Sequence, residues 1–164
     1  MQRKMFVNGR FDLALAQQFK AEIKRLVCKD AVFHVEINSH GGNLGRQIQM
    51  SEFAKEISEQ YNARFIAEMK WAESAGLLLA LSFHERHVIA SSVGIIHLPV
   101  HARGIVNGSE EGLQESRKRT IRFILKNSNL KEEDVFNLEN QLLSANDMLR
   151  YGIATKKVPI FMRL

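Results

Sequence analysis

Ala31-Val32-Phe33-His34-Val35-Glu36-Ile37-Asn38-Ser39-His40-Gly41-Gly42-Asn43 is the stretch that decides the fold. Its β-rich run to Ile37 reads as a buried strand of the α/β kind. Two consecutive glycines then end it, and Leu44 to Ile57 resumes with helical spacing through Leu44, Ile48, Phe53 and Ile57. A strand that passes through a tight turn into a helix is the building unit of a layered α/β fold.

Working outward toward the N-terminus, Lys4 to Val7 reads as a short strand closed by the turn dipeptide Asn8-Gly9. Asp12 is placed to cap a helix over Leu13 to Val27, where Leu13, Ala16, Phe19, Ile23 and Leu26 form an apolar stripe. In the other direction, Arg64 to Met69 is a strand and Ser74 to Phe83 an almost wholly apolar, buried helix. Two short strands follow, His87 to Ala90 and Val93 to His97. Val100 to Gly108 reads as loop or extended chain, and Ser109 caps a charged helix running to about Asn127. Lys131 to Glu139 and Ser144 to Tyr151 read as short helices, the second stopped by Gly152, and Val158 to Phe161 as a last strand. The alternation predicts an α/β fold with a mainly parallel sheet, in one domain spanning residues 1–164, with no linker and no internal repeat.

Composition narrows the function classes. The chain has 164 residues, enough for a substantial core. No apolar run approaches the length that spans a bilayer, so no membrane partner is expected. Met1-Gln2-Arg3-Lys4-Met5 leads into no signal-peptide apolar region. Cys28 is the only cysteine, which excludes an internal disulfide and a metal-thiolate cluster. A cytoplasmic location, with no metal and no cofactor, is the expectation. The net charge of +5 could signal nucleic acid, but the basic residues are scattered. Arg117, Lys118, Arg119, Arg122 and Lys126 share a helix with Glu110, Glu111 and Glu115, as in the i,i+4 pair Glu115 and Arg119. That is a solvated helix face, and no nucleic-acid partner is expected.

Three segments hold the parts of an acyl-transfer site. Gly41 and Gly42 offer backbone N–H groups at a helix N-terminus, suited to bind an oxyanion. Ser74, in Ala72-Glu73-Ser74-Ala75-Gly76, has small neighbours, and the Ala75 N–H is a second candidate oxyanion donor. His97, at a strand end, is a candidate base. Each part also has a plain structural explanation: a positive-φ turn, a helix N-cap and a core histidine. His34, His84, His87 and His101 compete with His97, and Asp134, Glu139, Asn140 and Asp147 are all candidates to orient its ring.

These residues resemble the Clp protease proteolytic subunit family, the crotonase-related self-compartmentalising serine peptidases. The family's Ile-Asn-Ser-Pro-Gly-Gly is matched by Ile37-Asn38-Ser39-His40-Gly41-Gly42, and its Ala-Ser-Met-Gly by Glu73-Ser74-Ala75-Gly76. Its Ile-His-Gln-Pro is matched by Ile96-His97-Leu98-Pro99, and its Phe-Leu-Ser-Ala and Tyr-Gly by Leu142-Leu143-Ser144-Ala145 and Tyr151-Gly152. The similarity runs from about Met5 to Val158. It implies a ClpP/crotonase-like spiral of ββα units, with a protruding handle strand and helix at about residues 100–127. It also implies a serine endopeptidase inside a homo-oligomeric ring, a heptamer or stacked heptamers, acting on peptides or unfolded proteins beside an AAA+ ATPase partner. Ser74 is then the nucleophile and His97 the general base, with Gly42 (or Gly41) and Ala75 as the oxyanion hole.

The sequence departs from the family at four places. Asn140 stands at the position of the catalytic aspartate; it can accept a hydrogen bond from an imidazole but cannot offset imidazolium charge. This predicts weakened catalysis, rescue by Glu139, or a rearranged site. Glu73 puts a carboxylate beside the nucleophile, and His40 replaces a proline. Only Met1 to Lys4 precede the first strand, so the family's axial loops, and with them a standard ATPase partner, are expected to be lacking. The rival readings are a catalytically silent ClpP-like ring subunit and a crotonase-type acyl-CoA enzyme with Glu73 as base.

Overall fold

The computed structural model describes residues 1–100 and 110–164. Its elements in chain order are β1 (Gln2–Asn8), α1 (Leu13–Leu26), β2 (Val32–Ser39), α2 (Leu44–Tyr61), β3 (Arg64–Glu73), α3 (Ala75–Leu81) and β4 (Glu85–Ile95). Then come α4 (Glu110–Lys126), α5 (Glu132–Leu138), β5 (Leu143–Ser144), α6 (Ala145–Arg150) and β6 (Lys156–Lys157). The strands form one six-stranded sheet in the order β1-β2-β3-β4-β5, with β6 also on β4. All neighbours are parallel except β4 with β5. The mixed α/β class with a mainly parallel sheet is therefore as the sequence predicts.

Alternation along the strands separates two faces. Met5 and Val7 of β1 and Phe33, Val35, Ile37 and Ser39 of β2 are buried under the helices. Asp12 caps α1 through its side chain, which accepts the Leu15 N–H, and α1 contributes Leu15, Ala16, Phe19 and Ile23 to the core. All seven residues of α3 are buried. The opposite face carries charge: Lys4, His34, Glu36, Glu68 and His87. The Lys4 ammonium bridges Glu36 at 2.7 Å and Glu68 at 2.5 Å. The C-terminal segment covers this layer, with the Met162 N–H donating to Glu68 Oε2 at 2.7 Å.

Several boundaries differ from the sequence-based expectation. The two short strands expected over 87–90 and 93–97 are one strand, β4. Its pairing with β3 jumps from Met69↔Val88 to Trp71↔Val93, because Ile89 to Ser92 bulge out, held by the Ser92 hydroxyl on the Ile89 N–H. The bulge is what made one strand read as two. Helix α2 continues past Ile57 to Tyr61 and stops at left-handed Asn62. The last strand is Lys156–Lys157, not Val158 to Phe161. Of the expected handle, α4 is present; His101, the Ser109 cap and the rest of 101–109 lie outside the described residues.

Candidate active site

Parallel pairing brings the carboxyl ends of β2, β3 and β4 to one edge: Ser39 lies opposite Ala72, and Glu73 opposite Ile95. Such an edge is where ligands bind in open α/β sheets. Ser74 follows at the tip of β3 with φ 54° and ψ −119°, outside every region favoured by a residue with a side chain. Its hydroxyl makes no capping bond to α3. The helix-cap explanation of this serine therefore fails, and what remains is a strained strand-to-helix turn that presents a hydroxyl, as in a nucleophile elbow. The Ser74 N–H donates to the Ile95 carbonyl at 3.1 Å, and Ala75 begins the helix with its own N–H lacking an intrahelical acceptor.

The diglycine turn presses directly on this serine. A Cβ on Gly41 (φ +101°) would lie 2.7 Å from the Ser74 Cβ and 3.2 Å from its Oγ. A Cβ on Gly42 (φ +147°) would lie 2.6 Å from the Phe11 carbonyl oxygen. Phe11 clamps the turn from both sides: its N–H donates to the Gly41 carbonyl at 2.9 Å, and its carbonyl accepts the Asn43 N–H at 2.8 Å. The Gly41 N–H is spent on the Ser39 hydroxyl at 3.0 Å. The Gly42 N–H has no hydrogen-bond partner among the described residues, which separates the two candidate oxyanion donors. The clamp by Phe11 escaped the sequence reading; the only signal was the Asn8-Gly9 turn that aims the chain there.

His97 lies just past the end of β4, half-buried, in an extension that ties the site together. The Ile95 carbonyl accepts from Ser74, and the next carbonyl, Ile96, accepts the Asn140 N–H at 2.8 Å. Successive carbonyls of an extended chain point to opposite sides, so Ser74 and Asn140 flank the strand that delivers His97. Among the described residues no hydrogen bond joins the His97 ring to the Ser74 hydroxyl or to the Asn140 amide. Asn140 has left-handed backbone, φ 64°, and is exposed.

The competitors are engaged elsewhere. His34 Nε2 bonds Gln2 on the charged face, His87 bonds Glu85, and His84 sits exposed at the far end of β4. Asp134 and Asp147 accept the N–H groups of Lys131 and Ser144 as helix caps. The Ser144 bonds hold the Asp147 carboxyl below its ordinary range. Glu139 lies 3.9 Å from Arg117, which donates to the Pro99 carbonyl just beyond His97. A depression of about 540 Å³ opens beside the diglycine turn, lined by Arg10, Asn38, His40 and Gly42 among others. Two other cavities, of about 750 and 510 Å³, lie against α2 and α4; the first is lined by His84 among others, and neither is lined by Ser74, His97, Asn140 or the diglycine turn. Among the described residues no helix is long and apolar enough to cross a membrane.

Comparison with known proteins bears on the fold and the family. The family model for Clp protease matches residues 1–158. ClpP1 from Listeria monocytogenes superposes with a TM-score of 0.81 at 22% identity, covering 96% of this chain and 92% of that one. An asparagine-to-aspartate mutant of Listeria monocytogenes ClpP1 superposes at 0.80 with 19% identity over the same shares. No curated protein sequence matches the chain. At these identities the solved structures establish the fold, and the family match over nearly the whole length establishes the kinship: the chain belongs to the Clp protease family.

Proposed function

We propose that this protein is a serine endopeptidase of the Clp proteolytic-subunit type. The observation that carries the reading is the strained, uncapped conformation of Ser74 against the Gly41-Gly42 turn. Ser74 Oγ attacks the peptide carbonyl while His97 takes its proton, then returns it to the leaving amine. The N–H groups of Gly42 and Ala75 receive the oxyanion. Asn140 is the acceptor for His97 Nδ1–H, a weaker partner than a carboxylate because it carries no charge. The Ser74–His97 hydrogen bond forms on assembly or substrate binding, as catalytic bonds often do. The working unit is a homo-oligomeric ring, and the substrates are peptides or unfolded protein chains. The acyl-CoA alternative is disfavoured because the Glu73 carboxylate is already taken by Trp71 and His40.

A fluorophosphonate probe tests this reading. It labels the assembled protein, Ser74→Ala abolishes the label, and Asn140→Asp speeds it by roughly tenfold or more by supplying the missing charge. An intact assembly that stays unlabelled moves the chain to the silent ring-subunit reading.

A further inference from the structure

The residue before each half of the site departs from the family motif, and the two departures meet. His40 directly precedes Gly41-Gly42, and Glu73 directly precedes Ser74. His40 Nδ1 lies 2.7 Å from Glu73 Oε2. The same carboxylate oxygen accepts the Trp71 indole N–H at 3.3 Å. The His40 ring stands edge-on to Trp71 with centroids 5.4 Å apart. A neutral or charged imidazole donates Nδ1–H in this contact, since the carboxylate only accepts.

We propose that His40, Glu73 and Trp71 form a clasp that fixes the Gly42 oxyanion donor against the Ser74 nucleophile. This rests on the peptidase reading of Ser74 and deepens it. The strands carrying the two segments pair as far as Asn38↔Trp71 and Ser39↔Ala72; beyond that pairing they meet through this polar contact and the packing of Gly41 on Ser74. Phe11 and the Ser39 hydroxyl hold the diglycine turn to its own strand and to the start of α1; the clasp adds a side-chain tether to the segment that carries Ser74. The clasp also answers an electrostatic difficulty. A free carboxylate one residue from the nucleophile would oppose a developing oxyanion. Two donors on one Glu73 oxygen draw that charge toward Trp71 and His40. His40 and Glu73 are thus positioning residues: they act through the turn and need not touch the reacting atoms.

The test is a double-mutant cycle read by fluorophosphonate kinetics on the full-length assembly, using His40→Ala, Glu73→Ala and the pair. Misplacing a catalytic donor by about 1 Å costs on the order of 100-fold. Each single variant is therefore expected to slow the maximal phosphonylation rate by about 10- to 100-fold, with the probe's binding constant within about twofold of the parent. The double variant is expected to be no slower than the worse single, because both remove one interaction. Glu73→Gln, which keeps an acceptor for both donors, is expected to recover most of the rate. Single variants that label at the parent's rate, or a double whose losses multiply, overturn the clasp. So does a His40→Ala variant as dead as Ser74→Ala, which would put the imidazole on the proton itself. A parent protein that does not label overturns the Ser74 reading and the clasp with it, whereas a labelled parent indifferent to these variants overturns the clasp alone. His40 is an exposed side chain, 83% accessible, and Glu73 is partly so; unfolding midpoints confirm that the variants compared are folded.

Discussion

At the scale of single residues, the site depends on two backbones that come closer than side chains allow. Gly41 touches Ser74, and each is held in a conformation with positive φ. Serine pays for that conformation with strain, of order 1–3 kcal/mol, which the surrounding contacts must hold. The Ser74 N–H bond to Ile95 and the burial of α3 behind it are two such contacts. Gly41→Ala puts a methyl group 2.7 Å from the Ser74 Cβ in a region that L side chains avoid. We expect it to cost about 3 kcal/mol in urea unfolding, from strain and overpacking together, and to abolish fluorophosphonate labelling. Retained labelling would show that Ser74 is not positioned by the turn. The residue types at these positions were legible in the sequence; the contact was not, because their separation along the chain says nothing about which turn faces which.

At the scale of elements, Arg86 does what no periodic pattern could announce. It lies buried in β4 and donates to the carbonyls of Phe83 at 2.7 Å, Ile153 at 2.7 Å, Asn127 at 3.1 Å and Gly152 at 3.0 Å. It thereby bolts the end of α4 and the α6–β6 connection onto the sheet. Those carbonyls belong to helix ends and turns, where backbone acceptors lack partners of their own. Arg86→Met keeps the apolar stem but leaves them unsatisfied, at about 1 kcal/mol or more apiece. The expected loss is roughly 3 kcal/mol or more in urea unfolding; a midpoint matching the parent's would mean that water takes over these bonds. The helices α1 and α3 were readable from spacing because one presents an apolar face and the other no polar one; α2 was located, but its buried face runs through Gln47, Met50, Ala54 and Ile57, and Ile48 of the expected stripe, like Leu13 of α1, is exposed. The β4 bulge was not readable, since Ile89 to Ser92 break the alternation that identifies a strand.

For the whole molecule, the asymmetry of the sheet matters most. One face packs apolar side chains beneath helices, and the other buries a charged layer under the C-terminal segment. Within that layer, burial chiefly holds the His34 imidazole below its ordinary value, helped by His87 and Lys4 and opposed by Glu68. Its Nδ1 is buried without a hydrogen bond, 3.5 Å from Glu68 Oε2. The folded chain therefore resists a proton that the unfolded chain accepts near pH 6.5. Stability is complete above that pH and declines as the pH falls through it toward the lower folded value. We expect the urea midpoint to drop between about pH 7.5 and 5.5, and His34→Gln to flatten that slope. A parent whose midpoint is level across this range would contradict the assignment. Glu85 does not share this window. Burial raises its carboxyl, but the His87 and Arg64 contacts outweigh that and leave it below its ordinary value. Its contribution is present near neutrality and fades only in stronger acid.

What the sequence determined by itself is the parallel α/β plan and the residues proposed for the candidate site. Strand and helix periods are written in neighbouring residues, and Ile37 to Asn43, Ser74 and Ile96 to Pro99 stand in a recognisable order. Tertiary structure alone decided which of two adjacent glycines keeps a free N–H, that Ser74 is strained rather than a cap, and that His40 finds Glu73. The reason is physical. A hydrogen bond or a close approach depends on the direction of groups brought together across the sheet edge, and those directions are fixed by packing far from either residue rather than by the local pattern around them.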